Sequence, residues 1–197
     1  MIRLAIFGLL ACGGFAQMRG LGVPPDAIAP DAARPANLGF ESGEAGSVPP
    51  EWSVDQVSRL NGYSAAVSRS DCHGGRACAI LTAGPQVARN NAGALMQVFS
   101  GQPYRGKRMR LRAWVRLESE SKRDRIHLMF LTDGENSTAE FLDRSGVRPG
   151  AWTQAEVEGK VPWHADLIHI AVVMTGKGKA WIDDVSFEEV SASPSPK

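Results

Sequence analysis

The segment KRMRLRAWVRLE sets Met109, Leu111, Ala113, Val115 and Leu117 against Arg108, Arg110, Arg112, Trp114 and Arg116 in strict alternation. Side chains of a strand point to opposite faces in turn, so this reads as a strand with one apolar and one cationic face. DRIHLMFLTDGE alternates Ile126, Leu128 and Phe130 with His127, Met129 and Leu131, and LIHIAVVMTGKGKAWID runs through a Gly-Lys-Gly-Lys turn into a last strand. Both carry apolar residues on two faces, as strands covered on both sides do. NLGFE, SAAVSR, ACAILTA, GALMQVFS and WTQAEVEGKV are further strands, bounded by glycine, proline and asparagine. About eight short strands with almost no helical period predict an all-β sandwich.

The last strand, AWIDDVSFEEV, holds two adjacent aspartates. Strict alternation places Asp183 with Trp181, Val185 and Phe187, and Asp184 with Ile182, Ser186 and Glu188; a bulge would exchange their faces. An unpaired carboxylate on the apolar side is costly, so Asp183 is expected to meet a cation, an arginine or a cluster of donors.

At 197 residues and 43% hydrophobic content the chain suits one domain with appendages. Lysine and arginine total 22 against 21 aspartates and glutamates, which leaves no field to recruit nucleic acid or an acidic membrane. Residues 1–16, with Arg3 before an apolar run and Gly14-Phe15-Ala16 after it, read as a signal peptide cleaved after Ala16, so a secreted or periplasmic location is expected. The alternative is a lipoprotein anchored through Cys12. The apolar run is too short for a spanning helix, so no integral membrane segment is expected after processing. Residues 17–36 read as a disordered Pro/Ala-rich linker, 37–190 as the domain, and 191–197 as a disordered tail. Without the leader two cysteines remain, Cys72 and Cys78, an even pair that in an exported chain predicts a disulfide worth roughly 2 kcal/mol. A metal site from Cys72, His73 and Cys78 would want a fourth ligand.

NLGFESG followed by PPEW, then GALMQVFSGQPYRGKRMRLRAWVRLE, AWTQAEVEGKVP and GKGKAWIDDVSFEEV resemble, in order and spacing, the carbohydrate-binding modules of the family 4/9 type, within the galactose-binding-like jelly rolls. The resemblance implies a jelly-roll β-sandwich over residues 37–190. It also implies a structural calcium where the first and last strands meet, with Glu41 and Asp183 as ligands and Asp184 as the alternative to Asp183. Calcium takes six to eight oxygens, so carbonyls of the His73-Gly74-Gly75-Arg76 loop would have to contribute. The opposing expectation is that Asp183 pairs with an arginine, that Glu41 and Asp184 are solvated, and that the disulfide holds the loop without metal.

Sugar-binding sites stack pyranose rings on aromatic side chains. Trp52, Trp152 and Trp181 match positions that pack structurally. Trp163, in VPWHAD, departs from the pattern and is a candidate contact. Trp114 shares its face with Arg112 and Arg116, and neighbouring strands would add His127 and His169 to make a surface for an acidic or hydroxyl-rich glycan; alternatively the arginines simply cover the ring. No G-x-S-x-G, H-E-x-x-H or phosphate-loop pattern occurs, His164 and His169 would face opposite ways in a strand, and adjacent acids in a strand diverge. The chain is therefore expected to be non-catalytic. It reads as a module that attaches to a polysaccharide or surface glycan, or as a structural jelly roll that has lost sugar binding and meets a protein partner.

Overall fold

The computed structural model describes residues 32–134 and 137–190. The expected signal peptide, Cys12, the tail and the first part of the expected linker lie outside them. Two five-stranded antiparallel sheets pack face to face. Sheet I runs β1 (Ser53–Val54), β4 (Ala92–Ser100), β9 (Ala165–Thr175), β6 (Arg125–Gly134), β7 (Ser137–Leu142), and sheet II runs β2 (Tyr63–Ser68), β3 (Cys78–Ala83), β10 (Lys179–Glu189), β5 (Arg108–Glu118), β8 (Thr153–Lys160). One short helix, α1 (Gln56–Leu60), is capped by Asp55, whose carboxylate accepts from Ser58 N. This is a jelly-roll β-sandwich. Among the described residues no helix is long and apolar enough to cross a membrane.

The core lies between the sheets. β5 sends Met109, Leu111, Ala113, Val115 and Leu117 into it, as the alternation predicts, and Ile126, Leu128 and Phe130 of β6 with Ile168 and Ile170 of β9 meet them from sheet I. Phe99, Phe130 and Phe187 pack edge to face at about 5.5 Å, the geometry aromatic quadrupoles favour.

Three expectations need correction. NLGFE is not a strand: Asn37 and Phe40 take left-handed backbone angles (φ 49° and 56°), and Phe40 N donates to Asn37 O, closing a turn that buries Phe40 against Trp52. Residues 32–36 are not free linker, because Ser100 N donates to Ala32 O and the Gln97 amide, buried in β4, is satisfied by the backbone N–H and C=O of Ala36. β10 does not alternate without interruption. Its register against β5 shifts between Asp183 and Ser186, and Asp184 has φ 46°. Ala180 and Ile182 enter the core before this bulge and Val185 and Phe187 after it, so Asp183 shares the outer face with Trp181 but not with Val185 or Phe187.

Candidate functional site

Asp183 lies on the outer face of β10, yet the residue is only 1% exposed. What covers it is the loop between β2 and β3, closed by the Cys72–Cys78 disulfide. His73 N and Gly74 N both donate to Asp183 Oδ2 at 3.0 Å, and Asp184 N donates to Oδ1 at 2.8 Å. Farther along the same loop, Arg76 N and Ala77 N donate to Glu41 Oε1 at 2.9 and 3.3 Å. Gly75 takes φ 56°, and a Cβ there would fall 1.8 Å from Glu41 Oε1, so the carboxylate occupies the space a side chain would need. Val185 N donates to Leu38 O, which ties the bulge to the turn carrying Glu41. Glu41, Asp183 and Asp184 thus surround one loop. Burial pushes the Asp183 carboxyl up, while the N–H donors pull it the other way.

The groups around Glu41 and Asp183 do not fit the calcium that the sequence resemblance implies. Calcium requires oxygens turned toward it. Here the loop turns its N–H groups toward both acids, and Asp183 Oδ2 and Glu41 Oε1 each already accept two of them. Asp184, exposed, pairs instead with His73 Nδ1 at 2.8 Å. Asp183 lies near both cysteine sulfurs, but those are joined to each other and present no thiolates.

His73 also stacks on Trp114, ring centroids 4.1 Å apart and planes 14° from parallel, with Trp152 edge-on to His73 at 5.6 Å. Register explains the gathering: Trp114 lies opposite Asp183 on one side and Gln154 on the other, and Arg116 lies opposite Trp181. The Arg116 guanidinium sits 4.1 Å over the Trp181 ring and 5.7 Å from Trp152. Three tryptophans therefore share this outer face of sheet II, two of which the sequence reading assigned to packing. Next to them the cationic stripe is neutralised by β8. Arg108 Nε and Arg110 Nε donate to Glu158 at 2.9 and 2.6 Å, and Arg112 Nε to Glu156 at 3.0 Å. Those bonds hold the Glu158 carboxyl below its ordinary range. An open cleft of about 560 Å³ adjoins this face, lined by Asp143, Arg148, Gln154 and Glu156 among others.

The remaining predicted contacts lie elsewhere. His127 is on β6 and His169 on β9, both in sheet I, on the opposite side of the sandwich from Trp114. His127 Nδ1 lies 2.8 Å from Asp143 O. His169 is 8% exposed and its Nε2 lies 3.0 Å from Asp133 Oδ2; burial lowers its pKa, with Asp133 opposing. Trp163, 73% exposed, follows the end of β8 and lies over Gly106, just before β5 begins. Trp114 is far along β5 from there, on the order of 20 Å at the usual strand rise. The outer face of sheet I is floored by Ala94, Met129, Ala171 and Val173, with Met96 and Leu142 beside them. The described tryptophan, tyrosine and phenylalanine residues of sheet I strands, Phe99, Phe130 and Phe141, all pack inward.

With this geometry the chain was compared with known proteins. No protein-family profile matches it. An uncharacterized HTH-type transcriptional regulator of Bacillus subtilis (strain 168) is 25% identical over 135 residues, covering 66% of this chain and 45% of the regulator. The chain thus spans less than half the length of that relative. Among solved structures, a cyclase from Fischerella sp. TAU superposes with a TM-score of 0.64 at 13% identity, covering 82% of this chain and 98% of the cyclase. A CBM22 xylan-binding domain superposes at 0.58 with 11% identity, over 83% of this chain and 99% of the domain. A second, from Paenibacillus barcinonensis, superposes at 0.56 with 12% identity, over 77% and 100%. These likenesses establish that the fold is one used by carbohydrate-binding jelly rolls.

Proposed function

We propose that this chain is a non-catalytic glycan-binding jelly roll, related in type to the family 4/9 modules that its sequence resembles. Its contact surface is the outer face of sheet II around Trp114. The observation that carries the reading is the grouping there of His73, Trp114 and Trp152 with Arg112, Arg116 and Gln154, next to the adjoining cleft. Flat rings beside hydrogen-bonding groups on a face whose charges are largely paired suit a hydroxyl-rich polysaccharide. The CBM22 neighbours are xylan-binding domains by name, which is consistent with a polysaccharide partner. Export by cleavage after Ala16, or anchoring through Cys12, would bring the domain to such a ligand. The test is retention of the full chain on a panel of insoluble polysaccharides and a glycan array. Trp114→Ala and Trp152→Ala should each weaken retention tenfold or more, with far-UV circular dichroism unchanged. Retention unaffected by both would move the surface elsewhere.

A second reading has its own observation. Trp163 stands exposed and apart from Trp114, so the two do not form one sugar-binding groove. An isolated exposed tryptophan is the type of anchor that protein interfaces use. If the wild-type chain is retained by no glycan, a protein-interaction jelly roll becomes the better account.

A further inference from the structure

We infer that the disulfide-closed 72–78 loop does for Glu41 and Asp183 what a bound cation would do, so that this jelly roll fastens its first and last segments together without metal. The need is real: Asp183 is buried, and it reaches across 110 residues of sequence to the loop. A carboxylate in such a place must be compensated. The chain meets this need with five backbone N–H groups, those of His73, Gly74 and Asp184 on Asp183 and those of Arg76 and Ala77 on Glu41. Successive N–H groups directed into one concavity form an anion-binding nest, and here the anions are the protein's own side chains.

Two glycines make the wrapping possible. A Cβ on Gly75 would collide with Glu41 Oε1, and one on Gly74 would lie 2.9 Å from Asp184 Oδ2. For calcium to bind between the acids, the peptides of residues 73, 74, 76 and 77 would have to surrender these bonds and bring carbonyls round. The disulfide opposes that change, since it spans only six residues of sequence and pins both ends of the loop beside β3. Donors and clamp therefore work together, the clamp fixing N–H groups that a longer open loop would leave disordered. The inference concerns how the fold is fastened, and it stands whether or not the outer face binds a glycan.

The test is thermal unfolding of the full, oxidised chain by far-UV circular dichroism, in millimolar calcium and in chelator, each with and without a dithiol reductant. In the oxidised chain the calcium and chelator curves should coincide. Reduction should lower the midpoint by about 4–8 °C, from the loop-closure estimate and the usual midpoint sensitivity of a domain this size, and calcium should not restore it. A calcium-dependent rise in the oxidised midpoint, lost in Asp183→Asn, would overturn the inference. So would a midpoint indifferent to reduction. The Cys72→Ser/Cys78→Ser variant should reproduce the reduced midpoint; should it fail to fold, the reduced wild-type comparison decides.

Discussion

At Gly75, sequence, backbone and charge meet in one residue. Its left-handed conformation and the Glu41 carboxylate against its α-carbon leave no room for a methyl group. Gly75→Ala should cost about 1–3 kcal/mol, by backbone strain and by displacing Glu41 from two N–H donors. Denaturant unfolding measures this, and a Glu41→Ala background should reduce the cost to the backbone component alone, because the clash is then gone. His169 answers to pH. Burial lowers its folded pKa below the ordinary value near 6.5, so below that value the unfolded chain takes up a proton that the folded chain refuses. Stability should therefore fall as pH drops from about 6.5 to the folded value, and His169→Gln should flatten that limb of a urea-midpoint profile. Asp183 acts with the opposite sign and at lower pH. Its raised pKa contributes stability below the carboxylate range that is lost as pH rises through the folded value. Asp183 was expected to need donors, and the sequence could show that need. It could not show that the donors would be peptide N–H groups, because a backbone group carries no residue-type signal.

Among the elements, β5 was readable because its two faces differ chemically at every position, whereas β10 was misread up to Asp183, where Trp181 and Asp183 were placed on one face with Val185 and Phe187. The bulge has no composition signature beyond the adjacent acids, and it reverses the inward set from that point on. Deleting Asp184 would remove the extra residue and leave a plain alternation that still sends Val185 and Phe187 into the core, while taking away the Asp184 N–H that donates to Asp183. Each buried side chain contributes about 1.5–3 kcal/mol and both stay buried, so the deletion variant is expected to keep a cooperative thermal transition, lowered by the loss of one N–H donor on Asp183. β7 went unnoticed because STAEFL mixes polar and apolar residues over a span too short for a period to stand out. The shared face of Trp114, His127 and His169 failed for a different reason. Alternation assigns a side chain to one face of its own strand, but says nothing about which sheet the strand joins. β6 and β9 pair with each other, away from β5.

For the whole molecule, the jelly roll was recoverable from the order of its motifs, which spans both sheets. The grouping of Trp152, Trp181 and Arg116 was not, since it depends on register between strands distant in sequence. The same arrangement bears on when the protein can fold. β10, the last strand described, is not at an edge but in the middle of sheet II, between β3 and β5. Until those residues have left the ribosome, β3 and β5 have no strand to join them, and the loop N–H groups that await Asp183 have no partner. A chain growing at roughly 5–20 residues per second would thus hold sheet II open until β10 has emerged to close it.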